Sequence, residues 1–185
     1  MSYDFRLFKR RAGENELVTA KADSEGLPTT PADPQKEALK RRVADALIAG
    51  NPQLAVFQFD YAAVAKSQNV SEDQARIKFR HLELNGPAEN CNGIQITLFD
   101  EEASVTVPFW HKDDKAAETF REIWRYLEII SRVAGYLIYD PQIDRLIDPS
   151  AGFEDSLACY TGAIGQIHKT LPVRGTDRKP WWKFW

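Results

Sequence analysis

Apolar and polar positions alternate from the first residues of the chain. Tyr3, Phe5 and Leu7 interleave with Asp4, Arg6 and Phe8, which predicts a strand over 3–8 with most large apolar groups on one face. Residues 9–32 turn polar and hold Gly13, Gly26, Pro28 and Pro31, which predicts an exposed loop. Asp33 before Pro34 then starts a helix, because the carboxylate accepts from orphan N–H groups and proline presets the first helical φ. Leu39, Val43, Ala46 and Leu47 recur at helical spacing until Gly50-Asn51-Pro52 ends the element.

The apolar run Leu54 to Phe59 predicts a well-buried strand, and Tyr61 to Gln68 a short helix. Ser71 and Gln74 have capping-box spacing, so a helical turn begins there and gives way to a strand near Ile77. Asn85-Gly86-Pro87 marks a turn. Ile94 to Phe99 and Ala103 to Phe109 alternate on either side of Asp100-Glu101-Glu102, a connection too short for a parallel crossover, so they form an antiparallel hairpin. The next stripe is the clearest in the chain. From Asp113 or Asp114, Phe120, Ile123, Trp124, Leu127, Ile130 and Ala134 line one helical face, opposite Arg121, Glu122, Arg125, Glu128 and Arg132. Gly135 stops it. Tyr136–Tyr139 and Ile143–Ile147 flank Asp140-Pro141-Gln142 as a second hairpin, and residues 152–171 add a helix.

This order predicts an α+β fold: an antiparallel sheet built from hairpins, with two main helices packed on one face. Residues 1–171 make a single domain and 172–185 a C-terminal tail. The 185 residues suffice to bury a core without disulfide or metal. Hydrophobic residues are 43% and charged residues 28%, which rules out wholesale disorder. The net charge of −3 removes the basic excess of a dedicated nucleic-acid binder, so no nucleic-acid partner is expected. The N-terminus has no apolar h-region. The stretch from Tyr126 to Tyr139 is too short and too often interrupted by polar groups to span a bilayer. A reducing cytoplasm, with Cys91 and Cys159 as free thiols, is the expected compartment.

Catalytic signatures are missing. His81, His111 and His168 stand at no zinc-ligand spacing, and no nucleophile elbow, Walker loop or dinucleotide fingerprint occurs. No metal or cofactor is expected. Asp140, Asp144 and Asp148 recur at intervals of four around the second hairpin. They could hold a hard cation or supply an acid/base pair. The plainer reading has Asp140 and Asp148 initiating turns before their prolines, with Asp144 facing water.

Charge by segment carries more. Residues 139–155 hold Asp140, Asp144, Asp148, Glu154 and Asp155 against Arg145 alone, a net −4. Residues 168–185 hold Lys169, Arg174, Arg178, Lys179 and Lys183 against Asp177, a net +4. An acidic hairpin offers a surface to a basic partner. In the tail, Trp181, Trp182 and Trp185 are three of the five tryptophans in the chain. Aromatics this large seek a surface: the chain's own domain, a second copy of it, or a partner's pocket as a hot spot. A membrane is the weaker destination, because so short a segment gives one wedge and no amphipathic helix.

Four segments together resemble a group of small bacterial cytoplasmic proteins akin to the immunity proteins encoded beside secreted antibacterial toxins. They are Met1 to Phe5, Arg80 to Asn85, Gly93 to Leu98, and Gly135 to Gln142. The resemblance leaves out residues 9–32 and the tail. It implies a non-enzymatic protein that binds and blocks a toxin domain encoded nearby. The expected partner-binding residues are Asp140, Asp144, Asp148, Glu154, Asp155, Trp181, Trp182 and Trp185. The alternatives are an enzyme with an acidic cleft around Asp140 and Asp144, or a scaffold or oligomerisation module.

Overall fold

The computed structural model describes residues 2–21, 28–86 and 92–170. Among them, seven strands form one sheet in the order β2-β3-β4-β5-β1-β6-β7, with every pairing antiparallel. The strands are β1 (Ser2–Lys9), β2 (Ala55–Val56), β3 (Leu82–Asn85), β4 (Gln95–Leu98), β5 (Glu102–Pro108), β6 (Tyr136–Asp140) and β7 (Arg145–Ile147). The helices are α1 (Glu16–Lys21), α2 (Pro34–Gly50), α3 (Tyr61–Gln68), α4 (Glu72–Lys78), α5 (Asp113–Ala134) and α6 (Phe153–Thr170). The α+β class read from the sequence is the class observed. None of the described helices is long and apolar enough to cross a membrane.

The first strand, β1, lies in the sheet interior between β5 and β6. Both neighbours run antiparallel to it and so parallel to each other, which makes α5 the crossover of a split β-α-β unit. Tyr3, Phe5 and Leu7 of β1, Val105 and Val107 of β5 and Ile96 of β4 face one way and are buried under α2, α5 and α6. The stripe of α5 sits where its period places it. Phe120, Ile123, Leu127 and Ile130 are fully buried, each contributing about 1.5–3 kcal/mol by leaving water. Tyr3, Phe5, Phe120, Phe153 and Tyr160 meet mostly in tilted and edge-on ring contacts.

Several local expectations are corrected. The polar segment 9–32 contains α1, whose Leu17 and Ala20 pack on Phe8, Leu137, Tyr139 and Leu146. Helices therefore cover both faces, α1 lying on the one opposite α5. Its few apolar residues are too sparse to register as periodicity. The run Leu54–Phe59 forms only the two-residue edge strand β2, and Phe57 beyond it is half exposed. In α2 the buried face is Lys40, Val43, Ala44 and Leu47, so Ala46 lies off it. The Asp33 cap and the Ser71/Gln74 capping box form as read, and β3 follows α4 directly.

Candidate partner-binding site

The acidic segment divides into one buried carboxylate and four exposed ones. Asp140 ends β6 on the core side of the sheet and is fully buried, so it presents nothing to a partner; that expectation is corrected. The Tyr3 hydroxyl donates to its Oδ2 at 2.6 Å, the Ser156 hydroxyl donates to the same oxygen at 2.6 Å, and the Gln142 N–H donates to Oδ1 at 2.9 Å. Three neutral donors replace the water this carboxylate loses, and no cation is among them. Burial first, and then the bond to Asp140, push the Tyr3 phenol far above its ordinary pKa, so it remains a donor. The cluster ties the first strand to β6 and to the first turn of α6.

The exposed acids stand around this anchor. Asp144 occupies a left-handed position (φ 53°) in the β6–β7 turn, where an aspartate is among the tolerated residues. It does not simply face water: Lys21 Nζ lies 2.7 Å away and the Tyr139 hydroxyl donates at 2.7 Å, and these two bonds hold its carboxyl below the usual range. Asp148 initiates the expected turn, accepting from the Ser150 hydroxyl and N–H, which likewise lowers its pKa. Gly152 closes that turn: a Cβ there would meet Ile147 Cγ2 at 2.6 Å, so any other residue would have to displace the Ile147 side chain. Glu154 and Asp155 sit in the first turn of α6, where the helix dipole favours anions. Arg145 reaches Asp155 at 3.1 Å across open solvent. Lys21 and Arg145 thus offset part of the negative charge, and the sequence could not anticipate Lys21, which lies 123 positions away from Asp144. Trp181, Trp182 and Trp185 lie outside the described residues.

The groups an enzyme would draw on are held in other arrangements. Asp140 is buried on the core side of the sheet, and Asp144 stands on the exterior. A cleft of about 610 Å³ and a depression of about 520 Å³ lie elsewhere, and neither is lined by Asp140, Asp144 or Asp148. His111 is buried, which lowers its pKa, and its Nε2 lies within hydrogen-bond distance of both the Asn92 carbonyl and the Trp110 indole nitrogen. His81 contacts Glu83 at 3.2 Å and stands edge-on to Phe59. Cys159 is a half-buried free thiol that packs against the core. No cluster of three metal-capable side chains forms among the described residues.

A second carboxylate cluster escaped the sequence reading. Lys40 of α2 is buried and reaches Asp100 at 3.0 Å, Glu37 at 2.6 Å and the Arg80 carbonyl at 3.0 Å. The Arg80 guanidinium also engages Asp100 and the Thr30 carbonyl. Burial would raise the Asp100 pKa, but the bonds from Arg80 and Lys40 outweigh it and hold the value at about 2. The available signal was a lysine at position 40, in helical register with Val43, Ala44 and Leu47. Compared with protein-family models, with curated proteins and with solved structures, the chain matches none.

Proposed function

We propose that the chain is a non-catalytic bacterial binding protein of the immunity type, which neutralises a toxin domain in the cytoplasm by covering it. One observation carries the reading. Asp144, Asp148, Glu154 and Asp155 stand outside the molecule on a backbone that the buried Asp140 fixes to β1 and α6. A preorganised outward array of carboxylates suits recognition of a basic surface, because little ordering entropy remains to be lost on binding. Charge complementarity of this kind accelerates encounter and selects the partner. The tryptophan-rich sequence of the tail fits the same reading, since tryptophan dominates interface hot spots.

Co-expression with the product of the neighbouring gene tests it. A complex that survives gel filtration, together with protection of cells from that product, is expected. Replacing Asp144 and Asp155 by asparagine and Glu154 by glutamine together should abolish both, and a thermal scan checks that the free variant still unfolds cooperatively. A partner bound equally well by the triple variant, or no complex and no protection, overturns the proposal.

A further inference from the structure

The cleft of about 610 Å³ opens on the α1 side of the sheet, between α1, the α4–β3 link and the β4–β5 turn. Its volume falls in the range of small-ligand pockets, roughly 300–1,000 Å³. Apolar groups line it: Phe8 from β1, Phe99 from the turn, and Val18 of α1, which is 67% exposed. The His81 ring adds a fourth wall, 5.4 Å from the ring of Phe99. A valine left that open on a helix facing a hollow is an unfilled contact.

Charge makes the hollow specific. The chain as a whole is −3, yet six Lys and Arg side chains line the cleft against four Asp and Glu among the described residues. The acids are engaged: Asp100 by Lys40 and Arg80, Glu101 by Lys36 at 3.0 Å, Glu102 by Arg6 at 2.9 Å. Glu14 accepts from Thr19. Lys9 and Lys78, both on the lining, have no carboxylate within ion-pair reach among the described residues. An apolar floor beside two uncompensated ammonium groups matches one kind of guest, an aromatic ring that bears an anionic group.

We propose that this cleft is a binding site for a small aromatic anion, an aryl phosphate or aryl carboxylate, with the ring on Phe8, Val18 and Phe99 and the anion between Lys9 and Lys78. The site is independent of the acidic end and of any toxin.

The test titrates 1-naphthyl phosphate into the full-length, ¹⁵N-labelled protein at low salt, with inorganic phosphate and 1-naphthol as controls. Saturable binding of the aryl phosphate is expected, about tenfold or more tighter than either control, with amide shifts concentrated at 78–81 and 99–102. Changing Lys9 and Lys78 together to Glu should weaken binding about tenfold or more. Val18→Asp should do likewise; Lys9 and Val18 are exposed and Lys78 is half-buried, so both variants should stay folded, which a thermal scan of each checks. Equal binding of 1-naphthol, indifference to the Lys9/Lys78 reversal, or shifts centred elsewhere would overturn the proposal.

Discussion

Two carboxylates, Asp140 and Asp100, hold the two ends of the molecule by opposite means. Asp140 is out of reach of water and takes its hydrogen bonds from hydroxyls and an amide. Asp100 lies at a partly exposed turn and is held by two cations, Lys40 and Arg80. The first arrangement depends on shape, because each donor belongs to a different element and nothing else can satisfy it. The second depends on charge, and charge can be titrated. The same side chain is therefore a rivet set by geometry in one place and an acid-sensitive clasp in the other.

The largest effect should come from removing the rivet. Asp140→Ala leaves the Tyr3 and Ser156 hydroxyls buried without an acceptor, at a cost of about 4 kcal/mol. Asp140→Asn keeps an acceptor oxygen in place and should cost less than half as much. Urea unfolding of the two variants measures the difference. Equal losses would mean that the charge, and not the acceptor geometry, is what the site requires.

The clasp should fail with acid. The folded pKa of Asp100 lies near 2, below its ordinary 3.8, so its contribution is complete above about pH 4 and disappears as pH falls toward 2. That contribution amounts to roughly 2 kcal/mol. Asp100→Asn should lose it already at neutral pH and flatten the acid limb of a stability-versus-pH curve measured by urea unfolding. An unchanged acid limb would assign acid sensitivity to other carboxylates. Lys40→Met should cost about 3 kcal/mol, because Arg80 still holds Asp100 but Glu37 and the Arg80 carbonyl lose their buried donor.

The contrast also explains what the sequence disclosed. The strand β1, the α5 stripe and both hairpins rest on local periodicity and turn chemistry, so they could be read residue by residue. The four outward acids were legible for the same reason, being close in sequence. Asp140 was legible as a turn residue but not as a buried one. Its burial depends on Tyr3, 137 positions away, and on α6 closing over it. Lys40 and Asp100 are 60 positions apart and become partners only when α2 packs against the sheet. The cleft is more remote still, since its walls come from β1, α1, the α4–β3 link and the β4–β5 turn, and no one segment carries its pattern.

The smallest effect on stability belongs to Asp144, which tests whether proximity to the rivet confers its importance. Its partners Lys21 and Tyr139 lie in short contact, and its side chain is 58% exposed. Water and salt screen the ion pair, and holding two mobile side chains together cancels most of what remains. The left-handed φ at this position is a second constraint, so serine, which lacks aspartate's ease there, is a harsher choice than asparagine. Asp144→Asn should therefore leave the thermal midpoint where it was, while removing one of the four charges that the acidic end offers a basic partner. A thermal scan beside a salt-dependent association-rate measurement separates the two roles. An unmoved midpoint with slower, less salt-sensitive association places Asp144 in recognition; a lowered midpoint would make it part of the fold, like Asp140 four residues earlier.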